Sequence, residues 1–68
     1  MQESDSADGA AWDALTDAIG NATAARGSAH LGDYAAARTE IKKSLDDLLA
    51  AWSFVIMADL VTRATEQS

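Results

Sequence analysis

Few residues in this chain have types and spacings suited to chemistry. Arg26 and His30 stand four apart, one turn of a helix. Asp13 and Asp17 repeat that spacing, and Asp46-Asp47 are adjacent. A metal or acid–base site would need such carboxylates held in a concave pocket with further ligands. The chain has no cysteine and a single histidine, so it has no disulfide and no thiolate metal site. Structural roles are at hand for each group. Asp13 and Asp17 suit the positive end of a helix dipole, and Arg26 and His30 suit the negative end. Asp59 is different, because it interrupts an apolar run and has Arg63 four residues on, the favourable acid-then-base order. Buried or at an interface rim, that pair would fix the register of a dimer. Trp12, Trp52 and Phe54 could be a ligand-binding aromatic set, but the expectation is a shared layer of core packing. No catalytic residue, cofactor or metal is assigned, and the expected class is a non-enzyme.

The elements that must position these residues are helices. Sixteen of 68 residues are alanine and none is proline. Residues 1–7 are polar and are expected to form an acidic, disordered tail, with Ser6 or Asp8 as N-cap. Helix 1 is expected over about 8–31. Ala11, Leu15, Ala18, Ala22, Ala25 and Ala29 fall at heptad spacing, an alanine-rich seam along which a second helix can approach closely. Trp12 and Ile19 flank it. Gly20 and Gly27 share a face with Thr16 and Thr23, either for close packing or on exposed surface. A break at Gly20-Asn21, giving three helices, is the alternative. Leu31-Gly32-Asp33-Tyr34 reads as a helix end, a left-handed glycine, an N-cap aspartate and a new helix.

Helix 2 is expected over about 34–66, roughly 50 Å at 1.5 Å per residue. Tyr34, Ala37, Ile41, Leu45 and Leu48 form its first apolar face. Lys42–Asp46 and Lys43–Asp47 are i,i+4 pairs on the other side. From Leu48 to Val61 only Ser53 and Asp59 are polar, so this stretch is expected to be buried on more than one side. It is too short to span a bilayer, which takes about 20 apolar residues.

Charge narrows the partners. The formal net charge is −6, with five acids and no base in residues 1–20. An acidic chain with no dense run of arginine and lysine is a poor match for a phosphate backbone, so no nucleic-acid partner is expected. The start of the chain has no basic n-region and no apolar h-region, so no membrane or secretory role is expected and the default compartment is the cytoplasm. Eight aspartates against three glutamates and two lysines resemble the composition of salt-in halophile proteins. Net charge on an ordinary acidic protein would serve solubility equally.

Length then argues for self-association. A chain this small buries only about 60% of its unfolded surface, and small scaffolds need a staple. Without disulfide or metal, oligomerisation or very regular helix packing remains. With the turn at Gly32 and Asp33, residue i pairs with roughly 65 − i, and a helix 1 that begins at Asp8 runs out near residues 55–57. Leu48, Trp52, Val55, Ile56, Met57, Leu60 and Val61 are therefore the expected oligomer interface. The expected architecture is all-α: an antiparallel two-helix hairpin, dimerising with two-fold symmetry into a four-helix bundle.

Residues 32–45, from Gly-Asp-Tyr through Ala37, Ile41 and Leu45, resemble the inner turn and second helix of a tetratricopeptide repeat. The first-helix positions depart from that pattern, with Asn21, Ala24, Ala25 and Ser28, and there is no second copy where a solenoid needs about three. The Gly-Asp-Tyr turn also resembles that of small archaeal helical-hairpin proteins of unknown function. Arg26 and His30 faintly resemble the arginine–histidine motif of HEPN ribonucleases, with three intervening residues where that motif has more. The expectations rank in order: a self-associating interaction or regulatory module, a small subunit docking a different protein through residues 48–61, and a ribonuclease-like enzyme using Arg26 and His30.

Overall fold

The computed structural model describes residues 3–67. It is a hairpin of two helices, α1 (Glu3–His30) and α2 (Tyr34–Gln67). The rod they form is 54 Å long, with a radius of gyration of 15.5 Å. A compact globule of this length would have a radius of gyration of about 11 Å.

The turn follows from two residues. Gly32 takes φ +83°, a left-handed conformation that a Cβ would strain. That geometry turns the Gly32 amide onto the carbonyl of Ala29 (3.0 Å) and the Asp33 amide onto that of Ser28 (2.9 Å). This is the Schellman pattern, and it satisfies two carbonyls that the end of α1 leaves open. Asp33 then starts α2: its Oδ1 accepts the amide of Ala36 at 3.1 Å.

Two expectations about α1 change. The helix begins at Glu3 rather than about Asp8, while Met1 and Gln2 lie outside the described residues. It also runs unbroken through Gly20-Asn21, so the three-helix alternative is excluded. Gly20 and Gly27 are exposed, and a Cβ added at either meets nothing within 4 Å. Their face is open surface, where the low helix propensity of glycine is simply tolerated.

The seam between the helices is narrower and more polar than the apolar pattern suggests. Ala11, Ala18 and Ala25 are buried, as expected, but Leu15, Ala22 and Ala29 are exposed. The inward positions beside the alanines are Ala14, Asn21 and Ser28, half-buried. On α2 the inward positions are Ala37, Glu40, Ser44, Asp47, Ala51, Phe54 and Ala58, again at heptad spacing. The buried positions on both helices, Ala11, Ala18, Ala25, Ala37, Ser44 and Ala51, are small, so the backbones can lie close together, and the larger Glu40, Asp47 and Phe54 sit at the half-buried edge. Leucine in the seam would hold them apart.

Polar groups in that seam set the register. Ser44, 8% exposed, donates from Oγ to the carbonyl of Ala18 at 2.9 Å. Asn21 Nδ2 donates to Asp47 Oδ2 at 2.8 Å, and Ser28 Oγ to Glu40 Oε1 at 2.7 Å. The paired numbers add to 62 in the first case and to 68 in the other two, either side of the expected register. Asp47 is thus engaged across the hairpin rather than with Lys43, while Lys42–Asp46 forms as expected at 3.4 Å.

Candidate functional site

The seam takes alanine and serine, so the large apolar side chains are left outside it. No large side chain among the described residues is fully buried, and the buried apolar core consists of alanines. Burying a methyl group is worth only about 0.8 kcal/mol, so this core is weak. Leu15, Ile41 and Leu45, expected to pack the hairpin, are exposed, as is Leu48, expected at the oligomer interface, because the seam needs small residues and turns them to one flank.

That flank is a single continuous face. On α1 it carries Trp12, Leu15, Ile19 and Ala22, at 3-4-3 spacing. On α2 it carries Ile41, Leu45, Leu48, Trp52 and Val55, at 4-3-4-3. These are heptad stripes beside the seam. The two stripes meet side by side. Leu15, Ile19 and Ala22 share a groove with Leu48; Ala22 and Ala29 share one with Ile41 and Leu45; Trp12 and Leu15 share one with Val55. Trp12 is 73% exposed, Ile19 67% and Trp52 64%. The opposite flank carries a polar stretch mid-rod, a shallow groove lined by Thr16, Asp17, Gly20, Asn21, Lys43, Asp46 and Asp47.

The expected interface residues divide between surfaces. Leu48, Trp52, Val55 and Ile56 belong to the apolar face or its edge. Met57, Leu60 and Val61 are exposed, but they point elsewhere around α2. Length is not the cause of their exposure. Because α1 reaches back to Glu3, it runs alongside this part of α2, and Ala58 is half-buried there. Direction on the helix, rather than an overhang, leaves them bare.

The aromatic set does not share a core layer. Phe54 is half-buried, while both tryptophans are exposed. Residues two positions apart on a helix are rotated by about 200°, so Phe54 and Trp52 face opposite flanks. Asp59 and Arg63 pair at 3.1 Å, yet both side chains are more than half exposed, so the pair is not buried within the chain. Alone, such a pair is worth little.

The residues suited to chemistry are dispersed. Arg26 lies beside Ala22, Ala29, Ile41 and Leu45 at the turn end of the apolar face. His30 is exposed in the last turn of α1. Asp46 turns to Lys42 and its neighbour Asp47 to Asn21, so the adjacent carboxylates diverge. Among the described residues no group of three or more His, Asp or Glu is placed to hold a metal ion. Among them, too, no helix is long and apolar enough to cross a membrane.

The missed feature is the polar half of the seam. Its signal was present: Ala11, Ala14, Ala18, Asn21, Ala25 and Ser28 keep heptad spacing as strictly as the stripe that includes Leu15. Comparison with known proteins finds no matching family model, no matching curated protein and no matching solved structure.

Proposed function

We propose that this chain is a non-enzymatic, self-associating interaction or regulatory module, whose apolar face packs on a second copy to form a four-helix bundle. The observation that carries this reading is the inversion of the hairpin: alanine inside, and two heptad stripes of large apolar residues outside on one face. The total surface points the same way. The chain exposes 5276 Å², where a folded monomer of 7.1 kDa would expose about 4100 Å². The excess is on the order of what each partner contributes to a standard interface, about 800 Å². Static light scattering over a concentration series tests this. A mass of two chains supports it, and a well-folded monomer at all concentrations overturns it.

A second reading has its own observation. Leu49, Met57, Leu60 and Val61 are exposed outside the apolar face. A two-fold partner on that face leaves them bare, so residues 48–61 also suit docking to a different protein, in a small-subunit role. A dimer that still aggregates through this region, and is rescued by Met57→Lys with Leu60→Lys, would favour that reading.

A further inference from the structure

Resting on that self-association, we infer that the two copies pack antiparallel, with their turns at opposite ends of the bundle. Two independent features of the face carry the orientation.

The first is shape. At the turn end the face is a groove of about 360 Å³ lined by Ala22, Ala25, Arg26, Ala29, Ile41, Ser44 and Leu45. Its floor is mostly alanine and serine. In the other half of the rod Trp12 and Trp52 stand on the face, 73% and 64% exposed, beside a second hollow lined by Gly9, Ala11, Trp12, Leu15 and Val55. At 1.5 Å per residue, the groove centres about 12 Å from the turn and the tryptophans about 30 Å from it. Two copies placed turn to turn would leave the turn-end grooves facing each other, with no aromatic side chain to fill them. Reversing one copy sets the tryptophans of each against the groove of the other, with the turns about 42 Å apart.

The second is charge. Residues 22–43, around the turn, carry Arg26, Arg38, Lys42 and Lys43 against Asp33 and Glu40, a net of +2. The rest of residues 9–66 carries Asp13, Asp17, Asp46, Asp47, Asp59 and Glu66 against Arg63, a net of −5. Turn-to-turn packing sets the two basic turn regions against each other, whereas the antiparallel arrangement sets each against Asp13 and Asp59 of the other copy; Asp17, Asp46 and Asp47 lie mid-rod and do not choose between the two. It also gives Asp59 a role. Asp59 lies about 39 Å from the turn, and Arg26 about 10 Å. With the turns about 49 Å apart, the carboxylate of one copy comes level with Arg26 of the other. The two requirements agree on offset to within about a turn and a half of helix.

The sequence has no cysteine, so one label site can be introduced cleanly. Leu31→Cys is suitable because Leu31 is 82% exposed beside the turn. Spin-label distances are measured on this variant after its mass is checked by light scattering. A dimer with a label separation of about 40–50 Å supports the inference. A dimer with labels within about 20 Å overturns the orientation and leaves self-association standing. A monomeric mass, for this variant and the parent chain alike, overturns both. A charge-reversal cycle gives a second readout: Asp59→Arg and Arg26→Asp should each weaken the dimer several-fold, and together restore it. Single variants without effect would overturn the pairing of these two residues.

Discussion

Ile19→Ala separates a lone hairpin from an associated one, because the two predict opposite signs. In the single chain Ile19 is 67% exposed and stands on helix surface. Alanine is the better helix former by a few tenths of a kcal/mol. That gain roughly offsets the third of the side chain that the hairpin covers, so an isolated chain should hold its melting temperature. In the dimer the remaining two thirds is buried by the partner. Full burial of an isoleucine is worth about 1.5–3 kcal/mol, which leaves about 1–2 kcal/mol per copy and about 2–4 kcal/mol per dimer. At 1.4 kcal/mol per tenfold, the dissociation constant should rise about 30- to 700-fold. Circular dichroism melts at several protein concentrations read this out. The parent Tm should climb with concentration, and the variant should melt well below it at each one. Concentration-independent melts, with an unchanged or higher Tm for Ile19→Ala, would refute the reasoning.

Four other outcomes follow from the geometry. Gly32→Ala places a Cβ at φ +83° and should cost about 1–2 kcal/mol, seen as a lower denaturation midpoint in urea. Gly27→Ala, where an added Cβ meets nothing, should raise stability by up to about 1 kcal/mol in the same titration. Ala18→Leu inserts bulk where alanine is 3% exposed, and should lose about 1–3 kcal/mol despite adding apolar surface; a gain would mean that the seam has room. The aspartate-rich, lysine-poor composition predicts a Tm that rises with KCl into the molar range, and a flat or falling Tm would overturn the halophilic reading.

Legibility in the sequence tracked how local the physics was. The turn could be read in full, because a left-handed glycine followed by an N-cap aspartate is settled within a few residues. The helical class was equally plain from alanine content and the lack of proline. The seam was half legible. The heptad spacing of Ala11, Ala18 and Ala25 matches their burial, but hydrophobicity alone draws Leu15 and Ile41 inward with them. Close approach of two helices selects for size before apolarity, and so Asn21, Ser28, Glu40 and Ser44 point inward and make the cross-hairpin bonds. The apolar surface was legible as composition, though its cause was not. A short first helix would account for it, whereas it comes from rotation of the seam. The Asp59–Arg63 pair was legible from its i,i+4 spacing and forms at 3.1 Å, but its exposure within the chain was not.

The central claim is that the apolar face is covered by a second copy, and tryptophan fluorescence reports on it directly. The chain has two tryptophans, Trp12 and Trp52, and both stand on that face. Acrylamide quenching should be weak at high protein concentration and rise to that of exposed indole on dilution, with a red shift over the same range. Full quenching at every concentration would contradict the claim.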